Sequence, residues 1–335
     1  MRVCADSQEE TMKARAVVSS MLVVLTSCAT SIVAAQSASS SARPVRVIVP
    51  LPPGGAMDAV VRGLSQRLGE HLSAHVIIDN RPGAGGAVAL ETAMASAPDG
   101  HTLAAIGATT IIFPLLYKAR FDVLRDFEHV AQMTAQGYTM TVHPNIPAKS
   151  VGDLVQLFKA QPGKFNYASS GIGGPMHLSG ELFMQATGTR IVHVPYKGMG
   201  IAYADLLSGN VEIGFPTLVS SAAHLRAGRL RALAVTTPKR VASHPDLPTM
   251  AESGVKDMVV LNWYGIVAPS STPRAVVARL NQAIVAAVRH PDMAQRLAAD
   301  GSEAIGSSPE GFRAQILEDR DKWARLIQAR GIRGN

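Results

Sequence analysis

The segment FNYASSGIGGPMHLSGELF, residues 165–183, changes its periodicity half-way. Phe165 to Ala168 reads as a short β-strand, and Leu178, Leu182 and Phe183 then recur at helical spacing. Between them lies Ser169-Ser170-Gly171-Ile172-Gly173-Gly174-Pro175-Met176-His177, a glycine-rich turn with proline placed for a first helical turn. A strand, a tight turn and a helix form the repeating unit of an α/β protein.

The unit recurs on both sides. Val45 to Pro50 and Val76 to Asp79 read as strands, each followed by a Pro/Gly turn. After the first, Val60, Val61, Leu64, Leu68 and Leu72 keep helical spacing. Further strands are expected at 102–106, 138–143, 191–195, 211–215, 230–236 and 259–267. Ser150, with Asp153 three residues on, can cap a helix over 151–159. Thr272-Pro273 and Ser308-Pro309 start two long helices, about 273–299 and 309–330, with no strand expected between them. The alternation predicts an α/β fold with largely parallel sheets.

Length and composition fit this. The chain has 335 residues, enough for about two domains, and is 47% hydrophobic and 17% charged. Its two cysteines, Cys4 and Cys28, both lie in the first 28 residues. That excludes a Cys nucleophile, a Cys-based zinc site and an iron–sulfur cluster from the main body. The formal charge of +7 is spread out rather than gathered in aromatic-laced patches, which argues against nucleic acid.

Residues 1–35 read as a signal peptide. Lys13 and Arg15 precede an apolar run from Ala16 to Val33, and Val33-Ala34-Ala35 offers a small-residue cleavage site. The implied compartment is the periplasm. Leu25-Thr26-Ser27-Cys28 also resembles a lipoprotein box, so a lipid anchor at Cys28 is the alternative. No interdomain linker is visible. Two lobes joined by crossing strands are therefore expected: lobe one over 36–142 and 262–335, and lobe two over 143–261. The ligand cleft would lie between them.

Four strand-to-helix junctions can carry chemistry. Gly54 and Gly55, followed by Ala56 and Met57, can turn backbone N–H groups toward an anion at a helix start, or form an ordinary turn. Asp79 to Gly86 partly resembles a dinucleotide fingerprint, but Val88 stands where its third glycine should be. It is expected to buttress the first loop. Ser169, Ser170, Gly171 and Gly173 form the third candidate anion site. His177 there faces either the cleft or Glu181, one helical turn away. Tyr196, Lys197 and Gly198 form the fourth, where Tyr196 could wall a pocket and Lys197 could add charge. His71 and His75 have metal-compatible spacing but no third ligand nearby, so surface histidines are expected. No nucleophile elbow, Walker loop or zinc-protease motif is present, and no cofactor is expected.

In order and spacing, PLPPGGAMD (50–58), DNRPGAGG (79–86), APDGHTL (97–103), NYASSGIGGPMHLSGELF (166–183), VHVPYKG (192–198), LRALAVTTPKR (230–240), LPTMAESG (247–254) and TPRAVVARLN (272–281) resemble one family. It is the tripartite tricarboxylate transporter substrate-binding proteins, of the Bug or TctC type. The resemblance spans about residues 43–335. It implies a type II periplasmic binding protein, two α/β lobes closing on a small carboxylate, with no catalysis. The implied partners are that ligand and the membrane permease subunits, and a monomer is expected. A solute sensor serving a membrane sensor kinase is the alternative function.

By the same resemblance the ligand-binding residues are Gly54, Gly55, Ala56 and Met57 in lobe one. In lobe two they are Ser169, Ser170, Gly171, Gly173, His177, Tyr196, Lys197, Gly198 and Thr217. Ala56-Met57 stands where the family usually has Pro or Ser and then Thr or another small polar residue, and Phe215-Pro216-Thr217 where it often has Phe-Asp. These departures point to a hydrophobic monocarboxylate or aromatic acid rather than aspartate, glutamate or citrate.

Overall fold

The computed structural model describes residues 43–334, and the expected signal peptide and Cys28 lie outside them. From Pro44 onward the described chain forms one contact unit, built on two sheets. The first sheet has six strands: β1 (Val45–Val49), β2 (Val76–Asn80), β3 (Thr102–Gly107), β4 (Phe127–Gly137), β10 (Leu261–Pro269) and β11 (Ser302–Ala304). Their order is β11-β4-β10-β3-β1-β2. The second sheet is ordered β7-β6-β8-β5-β9. It comprises β5 (Thr139–Val142), β6 (Asn166–Ser169), β7 (Val192–Pro195), β8 (Ile213–Gly214) and β9 (Arg231–Val235).

Both sheets are mixed, which corrects the expectation of largely parallel sheets. β1 runs parallel to β2 and β3, but β10 runs antiparallel to β3 and β4. In the second sheet β6 is parallel to β7 and β8, whereas β5 is antiparallel to β8 and β9. The crossing topology is the cause. A chain that leaves the first sheet along β4 and returns along β10 lays those two strands side by side in opposite directions.

The two crossings are stitched together. Sheet membership changes at Tyr138, whose N–H donates to Thr236 Oγ1 at 2.8 Å. Thr236 N–H donates to the Tyr138 carbonyl at 2.9 Å, and its hydroxyl donates to the Val260 carbonyl at 2.6 Å. Thr236 is fully buried, so these bonds are shielded from water.

Helices cover both faces of the first sheet. α1 (Ala56–Leu72), α8 (Arg274–Arg289) and α9 (Pro291–Ala299) share one core with Val45, Val47 and Val49 of β1. α2 (Ala87–Met94), α3 (Ala108–Leu116) and α10 (Pro309–Arg330) share the other with Ile48. The alternation along β1 is the period of two that a strand imposes. The second sheet carries α4 (Val151–Ala160), α5 (Pro175–Thr187), α6 (Met199–Ser208) and α7 (Leu218–Arg226). Ser150 caps α4 as expected, accepting from Asp153 N–H at 3.1 Å. Among the described residues no helix is long and apolar enough to cross a membrane.

Two expectations fail near the C-terminus. The single helix over 273–299 is two, because Pro291 has no N–H to continue the first. β11 then lies before α10, although no strand was expected there. The largest omission is β4, an eleven-residue strand in which His129, Gln132, Thr134 and Gln136 are all buried.

His129 makes an acid-stability prediction. It is 6% exposed and sits edge-on to Phe312. Burial, with a smaller push from Arg313, lowers its imidazole to about 4. The unfolded chain then binds the extra proton first, at about 6.5. Stability should be full above that value and fall as pH drops toward 4, by on the order of 3 kcal/mol from this group. Urea melts at pH 7.5 and 5 should differ in the wild type and differ less in His129→Phe. Equal midpoints at the two pH values would refute the account.

Candidate ligand-binding site

The lobe-one loop is organised by a residue that sequence reasoning passed over. Asp58, in the first turn of α1, is 2% exposed. Its Oδ2 accepts from Gly54 N–H and Arg62 Nε, each at 2.9 Å, and its Oδ1 accepts from Asn80 Nδ2 at 2.9 Å. The hydrogen bond from Arg62 does most to hold the carboxyl at about 2, against burial, with Gly54 and Asn80 helping. Asn80 also donates to the Leu51 carbonyl at 3.0 Å. The 79–86 turn therefore buttresses the 50–58 loop, as its failed fingerprint implied.

This changes what the first loop offers. Gly54, at φ +84°, has its N–H committed to Asp58. Gly55 precedes α1 without a side-chain cap, so the N–H groups of Ala56 and Met57 open the helix with no intrahelical partner. The Met57 side chain is 3% exposed and belongs to the α1 core cluster, so it is not a cleft wall.

The lobe-two loop rests on a buried polar floor. Gly171 at φ +135° and Gly173 at φ +75° take backbone conformations that side chains resist. Ser170 is exposed, while Ser169 is fully buried. The Ser169 hydroxyl contacts His193 Nε2 at 2.6 Å and accepts from Gly171 N–H at 3.1 Å, so it braces the loop from below. His177 is buried as well. Its Nδ1 accepts from Gly173 N–H at 3.0 Å, and its Nε2 lies 3.7 Å from Glu181 Oε1. Its ring thus lies under the loop, beside Glu181.

His193 was not singled out from sequence. It stacks on His177 with ring centroids 3.8 Å apart, and burial and then that neighbour lower its imidazole to about 4. Burial alone would raise Glu181, but hydrogen bonds from His177 and Arg330 outweigh it and hold the carboxyl at about 2.

The remaining candidates frame the loop. Tyr196 N–H donates to the Ser169 carbonyl at 3.0 Å, and its hydroxyl donates to Asp205 Oδ2 at 2.6 Å. Lys197 is exposed, and Gly198, at φ +117°, precedes α6. Thr217 caps α7, accepting from Ser220 N–H. His71 and His75 are both exposed, and His75 falls beyond the end of α1. No group of three or more potential metal ligands occurs among the described residues.

A cavity of about 290 Å³ joins the two lobes. From lobe two it takes Ser170 to Pro175, including the predicted Ser170, Gly171 and Gly173. From lobe one it takes Gly85 and the face of α3 that carries Thr109, Ile112, Phe113, Leu116 and Tyr117. Phe113 and Tyr117 stack with centroids 5.0 Å apart. Gly54 to Met57, Ser169, His177, Tyr196 to Gly198 and Thr217 do not line it. The α3 wall escaped sequence reading, although β3 ends at Gly107 beside β1. The carboxyl end of a central strand is where such sheets place ligands.

Residues 60–332 match the tripartite tricarboxylate transporter family receptor. The chain belongs to that family. This receptor is 32% identical to BugT of Bordetella pertussis over 295 residues, covering 87% of this chain and 90% of BugT. It superposes on Rhodopseudomonas palustris Rpa4515, solved with adipate, with a TM-score of 0.77 and 32% identity, covering 87% of this chain and 98% of that one. MatC from the same organism, solved with malate, gives 0.72 and 28%, covering 85% and 99%. As a member of this family the receptor is a periplasmic solute-binding protein of two α/β lobes, not an enzyme.

Proposed function

We propose that this receptor captures one small carboxylate, with an apolar or aromatic body, in the cavity between α3 and the 170–175 loop. It would deliver that ligand to the permease subunits of a tripartite tricarboxylate-type transporter. The adipate and malate held by Rpa4515 and MatC support the carboxylate. The cavity wall carries the ligand class. Its side chains come from Thr109, Ile112, Phe113, Leu116, Tyr117, Ser170, Ile172 and Pro175, with no charged group among them.

Such a wall divides the ligand in two. The carboxylate belongs at the glycine-rich end, where Ser170 and the start of α5 offer donors. One helix start supplies about 0.3–1 kcal/mol, or up to about 2 when partly buried, so it orients the anion more than it binds it. Micromolar affinity needs about 8 kcal/mol. The remainder must come from the body packed on Phe113 and Tyr117 and from the framing residues as the lobes close. A second carboxylate against that wall would lose water without gaining a counter-charge.

The rest of the reading follows the family. The ligand-contacting residues are proposed as Ser170, Gly171 and Gly173 in the cavity, joined by Gly55, Ala56 and Tyr196 to Gly198 only when the lobes close, with Ser169 and His177 as their support. The receptor would reach the periplasm through residues 1–35, or be held there by a lipid at Cys28, and act as a monomer. The relatives give the sensor reading no specific support.

Native mass spectrometry of the purified protein, followed by a thermal-shift screen of acids, tests this. An acid at one hundred times its dissociation constant stabilises by about 2.7 kcal/mol, a shift of several degrees. Benzoate and medium-chain monocarboxylates should shift the transition more than citrate or malate. The reverse ranking overturns the ligand class, and no shift with any acid overturns carboxylate capture.

A further inference from the structure

Beneath the 170–174 loop runs a row of titratable side chains, from buried His177 and Tyr167 through half-buried His193 and Glu181 to exposed Arg330, that capture of an anion does not itself require. His177 and His193 stack 3.8 Å apart, and Tyr167 lies on His193 with centroids 4.9 Å apart. Glu181 Oε1 lies 3.7 Å from His177 Nε2 and accepts from the Tyr167 hydroxyl at 3.2 Å. Arg330, at the end of α10, closes the row with Nε 2.8 Å from Glu181 Oε2. The row meets the loop where Gly173 N–H donates to His177 Nδ1.

We propose that His177 is a positioning residue: its unprotonated Nδ1 anchors the Gly173 amide, and protonation of the ring releases the loop and weakens ligand binding in acid. This rests on the reading that the 170–174 loop holds the ligand. The chemistry is a matter of donors and acceptors. Neutral imidazole presents one acceptor nitrogen, and the cation presents two donors. A proton on Nδ1 would face the Gly173 N–H donor to donor, and that bond would be lost.

The titratable and charged groups around the ring are Glu181 on its own helix, Tyr167 on β6, His193 on β7 and Arg330 on α10. Glu181 and Arg330 form an ion pair beside the ring, and His193 stacks on its face. Because α10 packs mainly on the first sheet and in its core, Arg330 lets one lobe influence the ligand loop of the other.

Two substitutions separate positioning from mere packing. His177→Asn keeps an acceptor near the place of Nδ1 but cannot titrate. His177→Phe keeps the stacked plane and loses the acceptor. The first readout needs no ligand: the amide resonance of Gly173 and the imidazole nitrogens of His177, followed by NMR from pH 8 to 5.5 with near-UV circular dichroism confirming the fold. Gly173 should shift together with His177 protonation in the wild type and stay fixed in His177→Asn. The second readout is benzoate affinity by calorimetry. It should weaken about tenfold across that range in the wild type, less than about twofold in His177→Asn, and start about tenfold weaker in His177→Phe.

A Gly173 amide that ignores pH in the wild type, or moves equally in His177→Asn, overturns the proposal. If Gly173 responds as expected while benzoate affinity does not follow, the placing of the ligand at this loop fails and the anchoring by His177 stands.

Discussion

Asp58→Ala is expected to lower stability by about 1–3 kcal/mol and to weaken ligand capture with it. The carboxylate is buried and serves three donors on three segments: Gly54 in the loop, Arg62 one turn along α1 and Asn80 at the end of β2. Removing it takes the acceptor from Gly54 N–H and leaves the Arg62 guanidinium without its closest counter-charge. Both donors are open to solvent and can rehydrate, so the cost is that of the lost charge-assisted hydrogen bonds that order the loop. For a chain of this size the melting temperature should drop by roughly 2–8 °C. Asp58→Asn keeps the shape and one acceptor, so it should lose about half as much. Thermal melts of the two variants, with acid titrations below their transitions, provide the check. A loss under about 0.5 kcal/mol for Asp58→Ala would mean that the loop is held by something else.

That carboxylate also shows how far the primary structure could be read. The motif PLPPGGAMD marked a turn between a strand and a helix, and that turn exists. It did not reveal that the acidic residue closing the motif consumes the N–H of Gly54. A hydrogen bond from residue 54 to residue 58 depends on the local path of the chain, which spacing alone does not specify. The strands with continuous apolar runs, such as β1 and β3, were legible because burial on both faces leaves no polar alternation. β4 was hidden for the opposite reason. Its His129, Gln132, Thr134 and Gln136 read as surface, yet they are covered by long-range packing. The site divides in the same way. The glycine loops announced themselves through composition. The α3 wall of Ile112, Phe113 and Leu116 looked like ordinary core until the second lobe came to rest opposite it.

Gly173→Ala should cost about tenfold in ligand affinity while the protein still folds. Two separate penalties meet at this residue. Its φ of +75° lies in the left-handed region, where a side chain costs about 1–2 kcal/mol. A methyl group there would also overlap Leu116 Cδ1, the tip of a half-buried side chain that must turn away and so change the shape of the cavity wall. Backbone strain at residue 173 would also loosen the Gly173 N–H bond to His177 Nδ1. Gly188→Ala isolates the first penalty, because Gly188 has a φ of +64° with open space around it. That variant should lose about 1 kcal/mol of stability and bind normally. Combining Gly173→Ala with Leu116→Ala isolates the second. Affinity should recover only in part, since relief of the overlap leaves the backbone strain in place. Calorimetric titration of the four proteins with the best acid from the screen decides the matter. Wild-type affinity in Gly173→Ala would show that the carboxylate is held elsewhere in the cleft, and full recovery in the double variant would show that the overlap, rather than the backbone, limits binding.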